Sequence, residues 1–92
     1  MQKSSSPRQT FRGVTYAIFG RLRKKASRMG IAITGPIGDA VKNGIKLHWN
    51  YDPVSEQLDV ECVSAPFWID SKQVSENLRT EIEAVLEQSR AA

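Results

Sequence analysis

The chain has 92 residues, a formal net charge of +3 and an apolar fraction of 40%. Its length allows one small domain, and a domain of this size buries only about 60–65% of the surface that its unfolded chain exposes. No apolar run approaches the ~20 residues of a membrane-spanning helix. The single cysteine excludes an intrachain disulfide and a cysteine-only zinc site.

The net charge hides an uneven distribution along the chain. Residues 1–38 contain eight basic residues and no acidic residue, whereas residues 39–92 contain five basic residues and all ten acidic residues. The two parts therefore carry +8 and −5, which sum to +3. This asymmetry indicates either an anionic partner for the N-terminal part or contact between the two parts.

The first predicted element is a long amphipathic helix. Residues 1–6 have the composition of a disordered terminus, and Ser6 before Pro7 is typical of a helix start. Apolar residues then recur at helical spacing, which predicts one continuous helix that ends at Gly30. The apolar stripe consists of Phe11, Val14, Ile18, Leu22, Ala26 and Met29.

The segment Val14–Phe19 leaves a second interpretation open. Its β-branched and aromatic residues favour a short strand. That strand would end at Gly20, and a shorter helix would then begin at Arg21.

Three segments in the middle of the chain predict strands. Residues 31–34 form a β-type run that Gly35–Pro36 closes, and Gly35–Gly38 is expected to be a turn or a strand irregularity. Residues 45–51 and 58–62 alternate apolar and polar side chains, as half-buried strands do. Asn43–Gly44, just before the second segment, is a typical hairpin turn.

The alternation also predicts how the last two strands pair. Their large apolar residues share one face when Tyr51 lies opposite Leu58, and the polar residues then share the other face. The predicted pairs are Tyr51–Leu58, Trp49–Val60 and Leu47–Cys62 on the apolar face, and His48–Glu61 and Asn50–Asp59 on the polar face.

A second helix is predicted after the sheet. Pro66 cannot donate to a strand ladder, so residues 65–69 form an edge, a bend or a crossover. Asp70 is a good N-cap, and Gln73 completes an approximate capping box. Apolar residues then recur at helical spacing, and fraying is expected near Gln88.

Together these elements predict a single α+β domain over residues 7–88. A basic N-terminal helix and an amphipathic C-terminal helix flank a small antiparallel sheet of three or four strands, in two layers and in the order α-β-β-β-α. Residues 1–6 are expected to be disordered and residues 89–92 to be frayed.

Part of this pattern resembles a group of small bacterial proteins of unknown function. The resemblance covers about residues 40–88 and rests on the Trp49-x-Tyr51-Asp52 strand, a return strand, the Pro66–Phe67 bend and a closing amphipathic helix. The order of elements is more distantly similar to that of the polyhydroxyalkanoic acid system proteins, which are linked to storage granules. These resemblances imply a bacterial accessory protein and transfer no functional residue.

Catalytic chemistry has few candidates in this sequence. His48 is the only histidine and could act with Glu61 as an acid–base pair, although a surface pair is the favoured interpretation. Cys62 is expected to be a buried small hydrophobic residue rather than a nucleophile. No metal site, cofactor or enzymatic activity is expected, and a buried cysteine suits a reducing, cytoplasmic location.

Some aromatic residues are expected in the core, and others are candidates for a partner interface. Trp49 and Tyr51 are expected in the core, although exposed aromatics on a sheet could stack nucleic-acid bases. Trp68 is also assigned to the core, but the Pro-Phe-Trp-Ile bend holds three large apolar residues close together. Phe67 and Trp68 are therefore the alternative candidates for a partner interface.

The basic N-terminal part is the main candidate for function. The predicted binding residues are Arg12, Arg21, Arg23, Lys24, Lys25 and Arg28. The leading hypothesis is a non-enzymatic bacterial module in which these cations contact an acidic protein, another copy of the chain, or an anionic granule or membrane surface.

Two other functions could use the same residues. A small nucleic-acid-binding protein would use the cations to contact phosphates. The Ser- and Arg-rich composition of the N-terminal part also resembles a targeting peptide, but its apolar stripe is needed to complete the fold.

Overall fold

Four strands and two helices build the domain in the computed structural model, which describes residues 7–91. The predicted α+β class is confirmed. Residues 1–6 and Ala92, for which disorder and fraying were predicted, lie outside the described residues. In chain order the elements are β1 (Gln9–Phe11), α1 (Tyr16–Arg28), β2 (Ile37–Lys42), β3 (Ile45–Asp52), β4 (Gln57–Ser64) and α2 (Ser71–Ala91).

The strands form one antiparallel sheet in the order β1-β4-β3-β2. All five predicted cross-strand pairs between β3 and β4 are confirmed. Asn43 and Gly44 join β2 to β3 with φ angles of 53° and 81°. Two consecutive positive φ angles are those of a type I′ hairpin turn, as the Asn–Gly pair predicts.

The N-terminal part differs from the predicted continuous helix. Gly13 has a φ of 73°, which no right-handed helix accommodates, and β1 before it pairs with β4. α1 begins after Thr15, whose side chain accepts a hydrogen bond from the Ile18 amide at 3.2 Å. The alternative strand over 14–19 is not formed either, because α1 already includes Tyr16.

The C-terminal end of α1 is the predicted one. Gly30 has a φ of 82°, and its amide donates to the Ser27 carbonyl at 3.0 Å. The Ile31 amide donates to the Ala26 carbonyl at 2.8 Å. These two bonds make a Schellman cap, the usual arrangement around a left-handed glycine.

The strand predicted over residues 31–34 is absent, and β2 begins later, at Ile37. Ile31 and Ile33 still face the core in part, which explains the β-like pattern. The Ile33 carbonyl accepts a hydrogen bond from Arg23 Nε at 3.0 Å instead of from a neighbouring strand. Gly38, predicted to lie in a turn or a strand irregularity, is part of β2.

The start of α2 agrees with the sequence. Asp70 Oδ1 accepts a hydrogen bond from the Lys72 amide at 2.9 Å, so Asp70 is the N-cap. The Gln73 side-chain amide donates along the helix to Asn77 Oδ1 at 3.1 Å, which is not the bond of the expected capping box. The helix continues to Ala91.

One face of the sheet carries the core, and both helices pack against it. The Phe19 ring of α1 stacks on Tyr51 of β3, with ring centroids 4.2 Å apart. Ile82 and Val85 of α2 belong to the same buried cluster. Because strand side chains alternate between faces, the opposite face of the sheet carries the polar residues of β3 and β4.

Candidate functional site

The orientation of α1 determines what its cations can do. Phe19 and Leu22 are buried and Ile18 is half-buried, so the apolar stripe faces the core. The exposed side of the helix carries Arg21, Arg23, Lys24 and Arg28. α1 is therefore a structural element of the fold with a basic outer face.

Lys25 is the exception among the predicted helix cations. It is half-buried, and its Nζ lies 2.6 Å from Glu81 Oε2 of α2. Two longer ion pairs join the exposed Arg8 to Asp59 and Glu61 of β4, at 3.9 and 3.7 Å. The charge asymmetry is thus partly neutralised by contact between the basic and acidic parts of the chain.

The other four helix cations have no carboxylate partner among residues 7–91. Arg21 donates to the Ser89 hydroxyl at 2.9 Å, and Arg23 donates to the Ile33 carbonyl. Arg21, Lys24 and Arg28 follow one another at helical spacings of three and four, so their side chains lie on one stripe. We call these three residues, together with Arg23, the basic face.

Arg12 lies apart from the basic face. It follows β1 and lines an open cleft of about 780 Å³ between β1 and α2. The cleft also contains Arg79 and Glu83, which form an ion pair at 2.9 Å. The structure therefore does not place Arg12 with the other predicted binding residues.

The open face of the sheet contains the proposed acid–base pair. His48 and Glu61 lie opposite each other, as predicted, but their side chains have different partners. His48 Nδ1 lies 2.8 Å from Asp39 Oδ1 of β2, and Glu61 contacts Arg8. The open face of the sheet therefore carries separate surface contacts, His48 with Asp39 and Arg8 with Glu61, and not a His48–Glu61 contact.

Phe67 and Trp68 protrude from the loop between β4 and α2. They are 61% and 71% exposed and form an edge-to-face pair with centroids 5.1 Å apart. The assignment of Trp68 to the core is wrong. The Ile69 amide donates to the Pro66 carbonyl at 2.9 Å, and this tight turn directs the two residues between them outward.

The cysteine and the two strand aromatics that the sequence analysis considered as functional candidates are buried. Cys62 is fully inaccessible, and burial raises the pKa of its thiol, so its predicted packing role is confirmed. Trp49 and Tyr51 are also buried, which excludes them as a base-stacking surface. The Tyr51 hydroxyl donates to the Val14 carbonyl at 2.6 Å.

An apolar groove, which the sequence pattern did not reveal, lies between α1, α2 and the inner face of the sheet. It has a volume of about 420 Å³, and its lining includes Leu22, Trp49 and Leu78. Ala26 faces it from α1. This small residue inside an apolar stripe was the only sign of the groove in the sequence. The size of the groove depends on the distance between the two helices, which the sequence does not give. We call this space the inter-helix groove.

Comparison with known protein families, curated proteins and solved structures found no significant match. The resemblance to small bacterial proteins therefore stays a prediction. Among residues 7–91, no three His, Cys, Asp or Glu side chains are grouped so that they could hold a metal ion. No helix in that part of the chain is both long and apolar enough to span a membrane.

Proposed function

We propose that the protein is a non-enzymatic, bacterial binding module whose basic face contacts an anionic partner or surface. An acidic protein, a granule surface and a membrane surface all offer the required charge. The observation that supports the proposal most directly is the set of four exposed cations on α1 without carboxylate partners within the described chain.

The position of these cations also favours binding. Like charges three or four residues apart on a helix destabilise it by about 0.2–0.5 kcal/mol per pair. An anion placed against Arg21, Lys24 and Arg28 would remove that repulsion. Because Phe19 and Leu22 hold α1 on the core, the partner would meet a helix that is already formed, which lowers the entropy lost on binding.

The geometry does not favour an enzyme. A general base needs a substrate held beside it, but His48, which contacts Asp39 through Nδ1 on the open face of the sheet, lines neither the β1–α2 cleft nor the inter-helix groove. The Cys62 thiol is buried, and its raised pKa disfavours the nucleophilic thiolate.

The experiment compares two double variants that each remove two positive charges. We expect Lys24→Ser with Arg28→Ser to weaken binding to anionic lipid vesicles and to an acidic polypeptide. Each cation near an anionic membrane contributes about 1 kcal/mol, so the loss should be roughly thirtyfold. Binding should also weaken as salt is added.

The matched control is Lys46→Ser with Lys72→Ser, which changes exposed lysines on the sheet and on α2. The control should retain most of the binding. Equal losses in both double variants would show that only net charge matters, and the proposal of a specific basic face would then be wrong.

Nucleic-acid binding is the second candidate, and one aromatic residue favours it. Tyr16 is 75% exposed and lies two helical turns before Arg23, on the same side of α1. A base stacked on Tyr16 would place its phosphates near the basic face. Tyr16→Ser should then reduce affinity for single-stranded oligonucleotides several-fold and leave vesicle binding unchanged. No retention of oligonucleotides at low salt would exclude this candidate.

A further inference from the structure

The inter-helix groove has the size of a small-molecule site. Its volume of about 420 Å³ lies in the lower part of the range of ligand sites, about 300–1,000 Å³. Leu22 lines it from α1, Leu78 from α2 and Trp49 from the sheet. A helix is about 10–12 Å across, so a partner helix is too large for a space of this volume.

The interior of the groove suits an apolar body. Among the buried residues that line the groove, only Trp49 has a polar side-chain atom, and its Nε1 already donates to the Gly35 carbonyl at 2.9 Å. The other polar residues of the groove are exposed or half-buried: Lys25, Lys42, Asn43, Asn77, Thr80 and Glu81. A ligand with polar groups along its length would leave them unpaired inside, which costs binding energy.

The rim of the groove suits a negative head group. Lys42 is exposed, donates to the Met29 carbonyl, and has no carboxylate partner among residues 7–91. An ammonium group has three donors, so Lys42 can also bind an anion. Lys25 is the second cation of the rim. It forms an ion pair with Glu81, the only acidic residue that lines the groove.

We propose that the inter-helix groove binds a single-chain amphiphile with an anionic head, such as a fatty carboxylate. Its alkyl chain lies between Leu22, Leu78 and Trp49, and its head contacts Lys42. This proposal does not depend on the basic face, which lies on the exposed side of α1.

Trp49 provides a direct signal for the test. The chain has two tryptophans, Trp49 in the groove and Trp68 on the exposed loop, so a Trp68→Phe protein reports on the groove alone. Titration with alkyl carboxylates from hexanoate to laurate should change this fluorescence saturably. Each methylene that enters the groove should tighten binding by about fourfold.

The head group is tested with primary alcohols of the same chain length. Carboxylates should bind about tenfold more tightly than the matched alcohols, the effect of one charge-assisted hydrogen bond. Lys42→Gln should remove that preference, and Lys46→Gln, an exposed lysine on the open sheet face, should retain it. Equal binding of carboxylate and alcohol by the unaltered protein would overturn the anionic head.

The location is tested by filling the groove. Ala26→Phe places a ring in it, and Ala17→Phe adds the same ring to the exposed side of α1. The first change should abolish carboxylate binding, and the second should leave it intact. Far-ultraviolet circular dichroism checks that both variants are folded, and native mass spectrometry of the unaltered protein checks for one ligand per chain. Retained binding in a folded Ala26→Phe variant, or no saturable binding below the micelle concentration, would overturn the proposal.

Discussion

At the scale of single residues, Tyr51 connects three parts of the fold. Its ring stacks on Phe19 of α1, and its hydroxyl donates to the carbonyl of Val14 in the loop that leads into that helix. Burial is the main cause that raises the pKa of Tyr51 above its ordinary value of 10.0, and the nearby carboxylates Glu56 and Asp52 add to it. The neutral phenol is therefore the form that the folded chain stabilises.

This pKa shift predicts a loss of stability at alkaline pH. Above pH 10.0 the unfolded chain releases the Tyr51 proton while the folded chain keeps it, so the free energy of unfolding falls as pH rises. Tyr51→Phe removes this dependence but also loses a buried hydrogen bond, which costs about 1–3 kcal/mol near neutral pH. In urea unfolding series, the stability gap between the unaltered protein and Tyr51→Phe should shrink above pH 10.0. A gap that stays constant with pH would contradict the prediction.

At the scale of elements, two glycines differ in the space around them and test the packing of α1 and β2. Gly20 lies inside α1 with no atom within 4 Å of an added Cβ, whereas a Cβ at Gly38 would lie 2.8 Å from Trp49 Cζ2. Gly20→Ala should stabilise the protein by about 1 kcal/mol through helix propensity. Gly38→Ala should destabilise it by about 1–3 kcal/mol through overpacking. Thermal unfolding measures both, and effects of the same sign would contradict this account.

The elements also show which features a sequence can predict. The β3–β4 register was predictable because a shift by one residue would turn Trp49 and Tyr51 to solvent. The end of α1 at Gly30 and the start of α2 at Asp70 depend on local hydrogen bonds to backbone groups, and the residues that make these bonds can be recognised in the sequence. The break at Gly13 left no clear sequence signal, because the residues on either side of it face the same core and continue the helical spacing.

The candidate sites were less predictable because they depend on distances between elements. The cations of α1 could be identified as a group from composition alone. That Lys25 pairs with Glu81, and that Arg12 lies in another cleft, follows only from the packing of α1 and β1 against α2. The exposure of Trp68 depends on a single turn, and the inter-helix groove depends on the spacing of the two helices.

At the scale of the whole molecule, the binding role proposed for the basic face would oppose the stability of the free protein. Lys24 lies three residues after Arg21 and four before Arg28, so it takes part in two repulsive pairs. If the face exists for binding, a change that makes the free protein more stable should make it bind more weakly, as is common at functional sites.

Lys24→Glu tests this opposition in one protein. The glutamate would replace two repulsions by two attractions, and a glutamate four residues before an arginine has the favourable orientation. Folding should gain roughly 1 kcal/mol from these pairs, which raises the melting temperature of a domain of this size by about 4–8 °C. Binding to anionic vesicles should weaken at the same time, because the change reverses one charge within the basic face. Lys46→Glu makes the same charge change on the sheet and should produce neither effect. A lower melting temperature together with undiminished vesicle binding would show that the charges of α1 serve the fold rather than a partner.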